Sequence, residues 1–500
     1  MPPPYILKPG RRVNAWDYEF EWTSDHYTPE QLKPLIYTYD ELASKALDRL
    51  DELAAQSRAP KTSPHSESPP PYSDSLSPPT STSDSNPPTL GMPSLQIRPP
   101  LLPPPNPRPL RPDPLPLMVP TNHHPPWVNW SQIASGQKIF YRYLGPSIVG
   151  LTFQALLGGF GSHRISAALS LTGGFSLRFA RRRLLETFQH VLDITSSIDD
   201  ITPPTGRGFI STVKVRLLHA SVRRKILTMA GEKEGWFDIR ENGIPCNDLD
   251  SIGTITAFST MLLFIGFPRQ GIWLSNQEKE DYLALWRYVA HLLGTPTAPF
   301  ESLTTAKTWL ESLIVSEIHP SPISKQLGQN MLNSLALTPP TYASVEFLKA
   351  EGWWLNGPEL ATALGIERPK WYYLLLVGGQ CGYFMGVSYA KKWLLPRKWE
   401  ETQVERLKKV LREVTVKESG GREAGFEFRY VPSWKQLHND SNGMGDEKGV
   451  VEGKKRDGFR NRWTEWRNLM AAVLLLTLAG WVGWLSARMV CKGVVRMVIQ

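Results

Sequence analysis

The chain has 500 residues with 44 prolines, 38 glycines, 3 cysteines and a formal net charge of +9. Three distant cysteines in no CxxC pair (Cys246, Cys381 and Cys491) argue against a disulfide scaffold or a structural zinc site. The basic residues are scattered among aromatics and acids, and the densest cluster precedes an apolar tail. This pattern points away from nucleic acid and toward a membrane surface.

The opening MPPPYILKPGRR has no apolar run, so no signal peptide or start-transfer helix is expected there. Residues 1–57 read as an ordered helical arm: Trp16, Tyr18, Phe20 and Trp22, then a helix over 29–53 capped by Thr28. From 58 to 126 the composition collapses to Pro, Ser and Thr, which predicts a disordered insertion unable to bury enough apolar surface to offset its ordering entropy.

Between 127 and 416 helical patterns recur, separated by short breaks and without a run of alternating strands, so the expected fold class is all-α. A helix over 130–143 leads into LGPSIVGLTFQALLGGFGSHRISAALSLTGGF. His163 and Arg164 make this stretch a poor membrane span and a better pocket floor. The next helix, 176–194, sets Arg183, Thr187 and His190 on one face beside Leu177, Ala180, Leu184, Phe188 and Val191. That face reads equally as a solvated surface or as the polar wall of a pocket.

The helix over 209–230 carries the most unusual pattern. Val215, Leu218, Val222 and Ile226 form an apolar stripe that contains His219, and Arg216 and Arg223 flank this histidine at three- and four-residue spacing. Two readings stay open on spacing alone. In one, His219 is a hydrogen-bonded core residue and the arginines snorkel to water. In the other, neutral imidazole meets a metal while the arginines meet the acid groups of a cofactor.

Farther on, 249–266 is an almost uncharged helix suited to the domain centre. Ser275-Asn-Gln-Glu278 is a capping box that opens a helix closed by Gly294. His291 on its inward side is a secondary candidate for reaching the pocket, and His319 reads as structural. The segment 371–390 is long enough to span a bilayer, yet Gly378, Gly379 and Gln380 favour close packing inside a protein. A basic amphipathic helix over 391–416 and a charged linker over 417–461 follow.

The run LMAAVLLLTLAGWVGWLSA at 469–487 is uncharged and at ~1.5 Å per residue spans ~28 Å, which predicts a transmembrane tail anchor. More basic charge precedes it than follows, which places the bulk of the chain in the cytosol. Modification at the sequons Asn129-Trp-Ser and Asn439-Asp-Ser would reverse that orientation.

Several blocks in order carry a family resemblance: LGPSIVGLTFQALLGGFG, TGGFSLRFARRRLLETFQHVL, VRLLHASVR, GIPCNDLDSIGTITAFS, EDYLALWRYVAHLLGTP, and PPTYASVEFL with WWLNGPELATALGI. Over roughly 127–392 the chain resembles the mpaB-like ER-bound oxygenases and the rubber oxygenases (latex-clearing proteins), in their fungal branch. The resemblance implies a globin-like helical core binding heme b (iron), with a proximal Arg-x-x-His-x-x-x-Arg motif that Arg216, His219 and Arg223 match. It implies a distal Arg-x-x-x-Thr motif that Arg183 and Thr187 match, with His190 beside them. The lysine of that distal motif is replaced by Glu186, and the upstream region around Ala167 has no carboxylate.

The activity implied is oxidative cleavage, with O2, of a C=C bond in an apolar, isoprenoid-like chain at a membrane. The endoplasmic reticulum is the expected location and the mitochondrial outer membrane its alternative. A membrane-anchored, non-catalytic heme or lipid carrier is the competing function.

Overall fold

The computed structural model describes residues 7–58, 124–394 and 396–423, together with six positions between 466 and 477. Residues 1–47 and 114–500 make one compact unit. Residues 48–113 make a second, of which the end of one helix is described.

A small antiparallel hairpin precedes the helices. β1 (Arg11–Ala15) pairs with β2 (Tyr18–Trp22), and Val13 stands opposite Phe20. Alternation buries Val13, Ala15, Phe20 and Trp22, so the aromatics expected to be ordered face the core.

The helix expected over 29–53 is broken. α1 (Pro29–Leu32), capped by Thr28 as expected, gives way to a 3-10 turn over Lys33–Ile36, and α2 (Glu41–Arg58) begins anew. Pro34 contributes to the break, since it has no N–H to donate to the α-helical ladder.

The remaining described elements are helical, in keeping with the all-α expectation. α3 (Trp130–Arg142), capped by Asn129, leads into α4 (Leu144–Val149), which continues as π-helical turns over Gly150–Leu157. α5 (His163–Thr172), α6 (Ala180–Ser196) and α7 (Arg207–Glu232) follow. α8 (Asp248–Phe258) is succeeded by a second π-helical stretch, Leu262–Gly266. Then come α9 (Asn276–Leu293), α10 (Leu303–Glu317), α11 (Pro322–Leu335), α12 (Val345–Ala363), α13 (Trp371–Leu394) and α14 (Arg397–Glu418). The basic helix expected from 391 starts later because Lys391 and Lys392 close α13, and Pro396 sets the break before α14.

α9 carries the expected capping box and ends on Gly294 at φ 73°. It packs on α3 at very short range: a Cβ on Gly136 would stand 2.3 Å from the Asp281 carbonyl oxygen, so only glycine permits this contact. The main core is built from α12, α11, α10, the first π-helical stretch and the inner face of α13, with the hairpin aromatics packed into it. The run Asp248–Arg269 has the length and hydropathy to cross a membrane, and just over half of it is buried inside the protein.

Most of the proposed insertion, the charged linker beyond 423 and the sequon at Asn439 lie outside the described residues. Of the span at 469–487 the structure describes only Met470, Val473, Leu474 and Thr477, all helical, and the rest lies outside the described residues.

Candidate functional site

The site is built on one helical hairpin. α6 runs to Ser196, a short connection turns the chain, and α7 returns against it. The register is fixed by a buried hydrogen bond of 2.6 Å between His190 Nδ1 and Ser211 Oγ. In an antiparallel pair, seven residues back from His190 on α6 is level with seven residues forward from Ser211 on α7. Arg183 therefore comes level with residue 218, next to His219.

Electrostatics agree with this register. Burial is the main cause that lowers the His219 pKa from 6.5 to about 4, and the positive charges of Arg223 and Arg183 act in the same direction. His190 is also lowered to about 4, by burial and by the proximity of His219. The fold thus brings Arg183, His190 and His219 together, and both imidazoles are neutral at pH 7. Thr187 shares the face of Arg183 and His190 and is exposed. Glu186 is buried between two arginines, 3.0 Å from Arg182 Nε and 3.5 Å from Arg183 Nη1.

One side of α7 is apolar. Leu218, Val222 and Ile226 are buried in a small cluster with Ala168 and Leu171 from α5 and with Trp236, Phe237 and Cys246. His219 is half-buried, whereas His190 is buried.

Spacing leaves Arg216 and Arg223 either snorkelling to water or reaching acid groups of a cofactor, and in the structure their donors go to protein. Arg216 donates to Asp40 through Nε (2.5 Å) and Nη2 (2.8 Å), and through Nη1 to the Leu292 carbonyl. Arg223 donates to the carbonyls of Pro245 and Cys246 and to Ser44 Oγ, and its guanidinium stacks on Tyr39 at 4.5 Å. The physical reason is burial: a guanidinium inside a core must satisfy its N–H groups locally. The two arginines clamp the helix that carries His219 to the segment 39–44 and to the loop before α8.

Other expected groups lie apart from this cluster. His291 sits at the surface, edge-on to Trp127 and stacked on Tyr288. His319 accepts a structural position, 3.1 Å from the Ser316 carbonyl. Arg164, in the expected pocket floor, pairs with Glu317 and faces Asp250 at 3.8 Å. Burial raises the Asp250 pKa to about 7 against the opposing effect of Arg164.

Sequence reasoning did not find Ser211 and Asp40. Ser211 could have been read from its place two helical turns before His219, but a buried serine in a helix is too common to be singled out. Asp40 carries only a capping signal, since its Oδ1 accepts from the Ala43 amide at 3.2 Å.

Residues 141–377 match the family model "ER-bound oxygenase mpaB/B'/Rubber oxygenase, catalytic domain". Over this segment the chain is similar to that oxygenase family. The match contains α6 and α7 entire, and with them every site residue expected from the sequence. A solved structure titled "Structure of Latex Clearing Protein LCP in the closed state" aligns at 17% identity, covering 59% of this chain and 76% of that chain, with a TM-score of 0.46. No curated protein matches the chain.

Proposed function

We propose that the mpaB/rubber-oxygenase-type domain is a heme b-dependent oxygenase that cleaves a C=C bond in an apolar, isoprenoid-like chain. Each alkene carbon would receive one atom of O2, giving two carbonyl ends. The observation that carries this reading is the antiparallel register that sets Arg183 and His190 of α6 against His219 of α7.

The donor set fits the cofactor. A neutral, half-buried imidazole would offer a nitrogen lone pair to iron, and Leu218, Val222, Ile226, Ala168 and Leu171 would supply an apolar wall for a porphyrin face. His219 would be the metal ligand, and heme, when bound, supplies the oxygen chemistry that side chains lack. Arg216 and Arg223 act here by fixing the helix that presents His219. Arg183 and Thr187 bring N–H and O–H donors, and Ser211 fixes the orientation of His190.

The C-terminal apolar run at 469–487 would hold the domain at a membrane, with the endoplasmic reticulum as the proposed location and the bulk of the chain in the cytosol. An apolar substrate dissolved in that membrane would then be within reach.

The test is the absorption spectrum of the full chain purified in detergent. A Soret band that is lost in His219→Ala and retained in His291→Ala supports the reading. A His219→Ala protein with full heme and an unchanged band overturns it. One observation favours a non-catalytic heme or lipid carrier: Glu186 stands where the family motif has a lysine, and it engages Arg183. Oxygen uptake with a prenylated substrate separates enzyme from carrier.

A further inference from the structure

α13 is embedded in the domain along one side only. Leu376, Val377, Gln380, Cys381 and Ser388 are buried, and Gln380 donates to buried Glu351 at 2.7 Å. At 100° per residue the opposite face carries residues 371, 375, 378, 382, 385 and 389. Its exposed positions are apolar: Trp371 is 76% exposed, Leu375 51% and Met385 39%.

Neighbouring segments extend the strip. The Trp354 ring lies over Gly378, where a Cβ would stand 3.6 Å from it, and its indole N–H donates to the Arg269 carbonyl at 2.7 Å. At the other end Met385 packs on Gly271, and the Trp273 amide donates to Tyr389 Oη at 2.9 Å, leaving the Trp273 side chain 65% exposed. Three tryptophans, a leucine and a methionine thus line one face over ~27 Å of helix.

Such a strip is too large and too aromatic for an ordinary solvated surface. Exposed basic residues flank it, Arg368 and Lys370 before the helix and Lys398 after it. Indole rings favour the headgroup level of a bilayer, and flanking cations favour anionic lipid.

We infer that this face of α13, with Trp354 and Trp273, is a peripheral docking surface for an anionic bilayer, sitting in its headgroup layer. It is separate from the apolar tail, and it would fix how the domain rests on the membrane. The inference needs neither the cofactor nor the tail reading.

The test places an environment-sensitive fluorophore on Leu375→Cys, and separately on Trp371→Cys, in the full chain with Cys491→Ser. Each labelled protein is mixed with phosphatidylcholine vesicles with and without phosphatidylserine, some carrying nitroxide at the headgroup. The expected result is a blue shift on adding anionic vesicles and loss of most emission to headgroup nitroxide, at both positions, with neither change at Tyr37→Cys. A label on native Cys491 reports the tail independently. Quenching at Cys491 with none at 371 or 375 overturns the docking face and leaves the tail reading intact, whereas the reverse supports the face alone. A blue-shifted label before any vesicle is added means that a second copy or the chain's own tail covers the strip, which also overturns the inference.

Discussion

Asp40 holds Arg216 from outside the helical hairpin, with both carboxylate oxygens on the guanidinium at 2.5 and 2.8 Å. The two side chains are 9% and 12% exposed, so this is a mostly buried pair joining the segment before α2 to the helix of His219. Asp40→Ala would leave a buried guanidinium without its carboxylate, which costs about 3–5 kcal/mol. The denaturation midpoint is expected to drop accordingly, and an unchanged midpoint would show that the clamp contributes nothing. If His219 binds heme, the same variant should also release it faster to a heme scavenger.

The two neutral histidines make the cofactor-free fold acid-sensitive. Both titrate at 6.5 in the unfolded chain and at about 4 in the fold. Between those values the unfolded chain binds protons that the fold excludes, so stability is full above 6.5 and falls as pH drops toward 4. Each histidine contributes at most about 3 kcal/mol to that fall. Urea midpoints measured across the window should show a steep slope that is roughly halved in His190→Gln.

Glu278, on α9, works in the opposite charge sense. Burial pushes its pKa up, but hydrogen bonds from Lys392 and Ser275 prevail and hold it down at about 2. Arg142 and Tyr143 reach the same carboxylate at 2.9 and 3.0 Å. A depressed carboxylate stabilises the fold above the unfolded value and loses that effect as pH falls from 4.5 toward 2. Glu278→Gln retains an oxygen for the capping box and removes the charge, so a loss of about 1–3 kcal/mol at pH 7 is expected, shrinking in acid.

Gly158 makes room for an amide. A Cβ there would lie 2.3 Å from Asn356 Oδ1, while Asn356 Nδ2 already donates to the carbonyls of Phe153 and Gly352. Gly158→Ala must displace that side chain, at about 1–3 kcal/mol for overpacking. Thermal unfolding should show the loss, and pairing the variant with Asn356→Ala should recover part of it.

What the sequence determined by itself is what neighbouring residues decide. The Ser275–Glu278 box and Gly294 marked α9 because caps act within one turn. The apolar stripe of Leu218, Val222 and Ile226 showed one face of α7, and block order carried the resemblance to the family whose model matches residues 141–377. The structure decided whatever depends on residues far apart. Asp40 is 176 positions from Arg216, so no local pattern could assign that arginine to it. Spacing likewise could not show that His190 meets Ser211, because the loop between α6 and α7 sets the register and hence which side chains face His219. The strip along α13 is not legible in the sequence, since an apolar sequence has the same pattern whether protein covers both sides of a helix or only one. Only the packing of its neighbours shows that Trp371 and Leu375 are left open.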